Sequence, residues 1–163
     1  PLLLKDVAGL VPGAYQGRGH GNAFLNDLND ADVLVHVVDA SGALDRNGVA
    51  AEGTGDPVDD VTWVRYEIHR WVYNNVVAKW GSIYRNPEKL LDMFSGYHSS
   101  KVLVRAALRR AGIDPGLLGD PSTGVHTWKP EFVHRLVAHF LRQELALGGE
   151  LCGRGGGRDG EQQ

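Results

Sequence analysis

The chain has 163 residues, of which 42% are hydrophobic and 23% charged, and its formal net charge is −3. This is enough chain for one domain with a real core. There is no basic excess to announce nucleic acid, and no apolar run reaches the length of a membrane span. The single Cys152 excludes an intramolecular disulfide and a cysteine-based zinc site, so a reducing compartment is the default. The first apolar run, Leu2 to Leu4, is followed at once by Lys5 and Asp6, which is not a signal peptide. Pro1 opens the chain in mid-strand, and the expectation is a piece of a longer protein.

In chain order, Leu2 to Leu4 reads as a buried strand that ends at Asp6. Residues 10–21 read as a loop, because Pro12 and the glycines at 9, 13, 17, 19 and 21 oppose both helix and ladder. Asn22 can cap a short helix through Leu28, with Phe24, Leu25 and Leu28 on one face. Asp32 to Asp39 is the clearest strand: Val33, Val35, Val37 and Val38 dominate it, and Ser41-Gly42 closes it. Two such strands joined by a loop and a helix make a βαβ unit and a parallel sheet. Asp6 and Asp39 then lie at carboxyl ends of strands, where ligands of such sheets bind.

The rest of the chain reads as helical. Residues 43–56 form a glycine-rich linker. Pro57 opens a helix with Asp59 and Asp60 in its first turn and Val58, Val61, Val64, Ile68, Trp71, Val72 and Val76 at helical spacing. Its expected end is Trp80-Gly81. Further helices are expected from Pro87 to Phe94, from a Ser99 or Ser100 cap to Ala111-Gly112, and from Lys129 to Leu145. Residues 148–163 collapse to glycine and charge and read as a tail that cannot fold. The resulting plan is a partial α/β unit at 1–42, a linker at 43–56, an all-α region at 57–147 and a disordered tail at 148–163.

Asp6-x-x-Gly9 is the motif that carries chemistry. An aspartate at a strand end can hold a magnesium water, and an amide without a side chain can approach a γ-phosphate oxygen. The residue after Gly9 is Leu10, which cannot orient an attacking water. Water must then be placed by another group, by a potassium ion or by a partner, or Leu10 is retracted from the site. Other candidates are weaker. His134 and His139 do not share a helical face and read as solvated. His36 reads as a core histidine, and Ser41 has no His/Asp partner in view. Trp63, Trp71, Tyr73 and Trp80 read as helix packing before partner binding. Arg105, Arg109 and Arg110 read as a solvated face before an RNA contact.

Three stretches carry a resemblance: Asp6-Val7-Ala8-Gly9-Leu10-Val11-Pro12-Gly13-Ala14, Gly17-Arg18-Gly19-x-Gly21-Asn22-x-Phe24-Leu25, and Ala31-Asp32-x-Leu34-x-His36-Val37-Val38-Asp39-Ala40. Together they resemble the Obg family of translation-factor GTPases, in its YchF-like branch. Asp56-Pro57-Val58-Asp59-Asp60-Val61 resembles the start of a helical insertion in archaeal and eukaryotic members.

The resemblance implies a partial P-loop NTPase fold followed by an all-α insertion. It implies a cytoplasmic protein that binds GTP, or ATP in some members, with Mg2+, hydrolyses it, and associates with the ribosome or its RNA. It places Asp6 and Gly9 at the phosphate, with Asp6 on the metal through water. Switch II becomes Leu10, Val11, Pro12, Gly13, Gly17, Gly19 and Gly21. No G-x-x-x-x-G-K-[ST] loop and no Asn-Lys-x-Asp motif occurs in the 163 residues. The chain alone is therefore expected neither to bind nucleotide tightly nor to turn it over. The alternative is a non-catalytic helical module that docks a partner. A dinucleotide-binding enzyme is disfavoured, because the spacing of Gly17, Gly19 and Gly21 is not G-x-G-x-x-G.

Overall fold

The computed structural model describes residues 3–5, 10–19, 26–27, 31, 33–50, 55–97 and 99–152, with 143–152 in backbone alone. Among the described residues, five α-helices carry the fold. They are α1 (Pro57–Ala78), α2 (Trp80–Arg85), α3 (Lys89–Ser95), α4 (Lys101–Arg110) and α5 (Pro130–Cys152). Short 3₁₀ turns lie at Ala14–Gln16, Pro115–Leu117 and Val125–Thr127.

The start of α1 follows from local chemistry. The Asp56 carboxylate accepts the amides of Val58 at 2.9 Å and Asp59 at 3.4 Å, and Pro57 takes a position whose N–H would be orphaned anyway. Val58, expected on the core stripe, sits in this first turn and is exposed. The helix ends earlier than expected, at Ala78. Lys79 leaves helical geometry, its N–H shared between the carbonyls of Asn75 and Val76. Gly81, read as a stop, lies inside α2 instead. The redirected chain buries Ile83, and α2 packs on both α1 and α3.

Ser100 caps α4 by accepting the Leu103 amide at 3.3 Å. At its other end Gly112 adopts φ 81°, which lets the Ile113 N–H reach the Leu108 carbonyl and the Gly112 N–H reach that of Arg109. The helix α5 begins one residue after its expected start and runs past Leu145 to Cys152, into what reads as tail.

The core lies where α5 crosses α4 and α1, with α3 closing it from beside α4. Phe94, Leu90, Leu91, Leu108, Leu136, Val137 and Phe140 are all buried there, and the Phe94 and Phe140 rings sit 4.6 Å apart. Burying each such side chain stabilises by roughly 1.5–3 kcal/mol. The four aromatics weighed as a partner stripe are spent largely on packing. Trp71 is buried edge-on to Tyr97 at 5.5 Å, and Trp80 rests against Trp128 at 6.1 Å.

The expected strands are not formed among the described residues. Among the described residues there is no ladder, and Leu44 to Ala50 is an isolated antiparallel bridge. Leu3 and Leu4 are 92% and 84% exposed, and Val33, Leu34, Val35 and Val37 are exposed too. A strand is stable only against a neighbour, and none lies beside these segments among the described residues. His36 is accordingly exposed, not a core histidine. Of the helix expected after Asn22, only residues 26 and 27 are described, and both are helical. The stretch read as a linker closes on itself, with the Gly55 amide donating to the Gly42 carbonyl at 3.1 Å.

Candidate functional site: the glycine loop on the helical core

The loop after Asp6-x-x-Gly9 is more ordered than its glycine content suggests. Ala14–Gln16 form one 3₁₀ turn, closed by Ala14 N–H to Val11 O at 3.1 Å and Gln16 N–H to Gly13 O at 2.9 Å. Gly13 at φ 89° and Gly17 at φ 90° bracket it, and both lie in the left-handed region that side chains disfavour. At Gly19 a Cβ would come within 2.6 Å of the Val11 side chain, so the loop also closes on its own start.

This turn is docked on α1. Ala14 is buried in the helical core, and Leu10 and Tyr15 pack against it. Two positions beyond Tyr15 the chain turns away at Gly17. The Glu67 carboxylate, only 4% exposed, caps the turn from α1. The Gly13 N–H donates to its Oε1 at 2.7 Å, and the Tyr15 N–H donates to its Oε2 at 3.1 Å. Amide bonds to an ionised acceptor are stronger than neutral ones, and burial sharpens them. The Tyr15 ring meets Tyr66 edge-on at 6.1 Å, and the Arg70 guanidinium lies 5.3 Å from the Tyr15 ring and 5.5 Å from that of Tyr73. The Arg70 Nε is buried there without a hydrogen-bond partner among the described residues.

Of the residues singled out in the sequence, Leu10, Val11, Pro12, Gly13, Gly17 and Gly19 fall in this docked loop. Asp6, Gly9 and Gly21 lie outside the described residues. Asp39 is engaged locally: its carboxylate accepts the Ser41 hydroxyl at 2.6 Å and the amides of Ser41, Ala43 and Leu44 at 2.9–3.0 Å. Those bonds, the Ser41 hydroxyl foremost, hold its pKa below the ordinary 3.8. They also take up Ser41, so neither side chain is poised for chemistry. His134, expected as a solvated histidine, is half-buried and stacks on Tyr73 and on His69. No group of three or more His, Cys, Asp or Glu residues among those described is arranged to hold a metal ion.

Glu67 escaped the sequence reading, although a signal was there. Val64, Ile68 and Trp71 form one helical stripe, and Glu67 lies three residues after Val64 and four before Trp71. An acid on an apolar stripe needs a buried partner, and here the partner is a backbone turn.

No family model matches the chain, and no solved structure matches it. Curated relatives do. The chain is 39% identical over 149 residues to an uncharacterised GTP-binding protein of Schizosaccharomyces pombe, covering 86% of this chain and 34% of that protein. It is 40% identical over 116 residues to an uncharacterised GTP-binding protein of Methanocaldococcus jannaschii, covering 67% of this chain and 29% of that protein. Over 65 residues it is 42% identical to the ribosome-binding ATPase YchF of Buchnera aphidicola, covering 40% of this chain and 17% of that protein. The chain thus spans about a third or less of the length of each of these relatives.

Proposed function

The chain belongs to the Obg/YchF type of GTP-binding proteins, and on that premise we propose that it supplies the phosphate-sensing loop and a helical insertion of a P-loop GTPase. Asp6 and Gly9 stand at the γ-phosphate, and residues 10–21 form switch II. The single observation that carries this reading is the docked turn at Ala14–Gln16, which ties the loop after Asp6-x-x-Gly9 to the helical core through Glu67.

In this role Gly9 offers a bare amide to a γ-phosphate oxygen. Asp6 offers one hard carboxylate oxygen, the donor a magnesium ion takes through a water while phosphates fill its other positions. The ion, when bound, neutralises charge that develops on the phosphates. Leu10 packs against the helical core, which favours the retracted arrangement over one in which an apolar side chain faces the water. Leu3, Leu4, Val33, Leu34, Val35 and Val37, apolar and exposed, lie in the segments on which further strands of a parallel sheet would pair. Hydrolysis of the bound nucleotide, binding to the ribosome and a cytoplasmic location are part of the same proposal. The name of the Buchnera relative supports the second. The lone cysteine supports the third.

Calorimetric titration tests it. The 163-residue chain shows no micromolar affinity for GTP with Mg2+. The gene product that carries these residues has a G-x-x-x-x-G-K-[ST] loop ahead of Pro1 and binds GTP, and Asp6→Ala weakens that binding. Micromolar binding by the 163-residue chain, or a gene product without the phosphate loop, sinks the reading. Loss of GTP in favour of ATP changes the base and keeps the rest.

A further inference from the structure

We propose that Glu67 is a positioning residue for the phosphate-sensing loop: it clamps residues 13–15 to α1 and so holds Leu10 in the helical core, clear of the γ-phosphate. The inference rests on the switch II reading of residues 10–21.

Three observations carry it. First, Glu67 is a buried acid on the stripe of α1 that faces the core, where an apolar side chain would be cheaper to bury. Among the described residues its side-chain hydrogen bonds run to the loop. Second, its two oxygens each take a different amide, of residues 13 and 15, and those amides converge on one carboxylate only in the turn that Gly13 opens at φ 89°. The carboxylate therefore selects one loop conformation and does not merely attract the loop. Third, Ala14, between those amides, is buried, and Leu10, three residues before Gly13, packs against the same core. Consecutive Cα atoms are about 3.8 Å apart, so a clamp at 13–15 limits where Leu10 can reach.

The functional consequence follows from where Leu10 stands, directly after Gly9. With the clamp released, its apolar side chain is free to lie over the phosphate and exclude the attacking water. Ground-state binding of nucleotide changes little, since the phosphate loop of the gene product, and not residues 13–15, carries most of it. The chemical step slows. Because coupling is reciprocal, anything bound to the helical region that shifts α1 acts on the loop through the same residue.

The test has two arms. In the 163-residue chain, amide exchange at Gly13 and Tyr15 is followed by NMR. Glu67→Gln keeps the shape and one strong acceptor; it accelerates exchange at both amides by about tenfold or more, and leaves Leu108 in α4 unchanged. In the gene product that carries the phosphate loop, Glu67→Ala lowers kcat for GTP by about tenfold while KM moves less than about threefold. Glu67→Gln falls between, and adding Leu10→Ala to Glu67→Ala restores kcat toward the unmutated value. A merely structural role for Glu67 would not produce that rescue. Unchanged exchange at Gly13 and Tyr15 overturns the clamp. A loss confined to KM, or no rescue by Leu10→Ala, overturns the positioning role while nucleotide binding stands. A gene product that binds no nucleotide overturns the switch reading, and this proposal with it, even where exchange depends on Glu67.

Discussion

The imidazole of His134 lies flat on the ring of Tyr73, with centroids 3.7 Å apart and planes 5° from parallel. His69 also stacks on it, at 5.3 Å, and donates from Nε2 to the His134 carbonyl at 3.1 Å. This stack joins α5 to α1 one turn beyond Glu67, beside Arg70.

That position makes folding pH-dependent. Burial foremost, then the charges of His69 and Arg70, lower the His134 pKa below 6.5, and Glu131 opposes them. The unfolded chain therefore takes up its proton at higher pH than the folded one. Stability is full above the ordinary value, and falls as pH drops through 6.5 toward the lowered folded value. His134→Phe keeps the stack and removes the proton. The thermal midpoint of the unmutated chain should drop between about pH 7.5 and 5.5, and the drop should shrink in the variant. Equal slopes would exclude His134 as the source.

The start of α1 depends on the Asp56 cap. Asp56→Ala leaves the amides of Val58 and Asp59 without an acceptor and costs about 1 kcal/mol. Asp56→Asn or Asp56→Ser should recover most of it. Urea denaturation of the three variants reads this directly.

Gly124 sits where no side chain fits. A Cβ there would lie 2.3 Å from the Leu118 carbonyl oxygen, 2.6 Å from that of Asp120 and 2.7 Å from that of Leu117. These are backbone atoms, fixed by the Gly124 N–H to Asp120 O bond at 2.8 Å and the Val125 N–H to Leu118 O bond at 2.9 Å. Gly124→Ala should therefore destabilise by about 1–3 kcal/mol, as overpacking does. Gly81→Ala, with open space at its Cβ, should be neutral or stabilising in the same urea series.

Asp120 organises that loop. Its carboxylate accepts the Ser122 hydroxyl at 2.6 Å, the Ser122 and Thr123 amides at 2.8 Å each, and the Thr123 hydroxyl at 3.0 Å. The Ser122 hydroxyl leads in lowering its pKa from 3.8 to about 2. The lowered value stabilises the fold above 3.8, and that contribution is lost as pH falls toward about 2. Carbon-detected NMR titration should find the value near 2 in the unmutated chain and moved up in Ser122→Ala.

Helix starts were legible because they are local. Pro57 and the Ser99-Ser100 pair are start signals that act over a few residues, and the structure places helix starts at Pro57 and after Ser100. Gly81 misled for the same reason, since a glycine marks a stop only if the chain beyond it has nowhere helical to go. Here Ile83 has a core to reach, and α2 continues through the glycine. Leu3, Leu4 and the valines at 33–37 have strand character in sequence but no strand pairing among the described residues. The ladder they would join requires a neighbour at about 4.8 Å, which a sequence pattern cannot supply.

By itself the sequence determined what side chains decide within a few residues of themselves. It specified the helical period of α1 and α5, the caps, the turn glycines Gly13 and Gly17, and the Asp6-x-x-Gly9-Leu10 signature that carries the family resemblance. Only the tertiary structure decided that a glycine-rich loop would be held rather than loose, that Leu10 would face a helical core, and that His134 would be stacked instead of solvated. Each of those outcomes requires groups far apart in the chain to meet. Gly13 and Glu67 are 54 positions apart, and His69 and His134 are 65 apart. Burial then turns such meetings into strong, directional contacts by removing the water that would otherwise satisfy both partners.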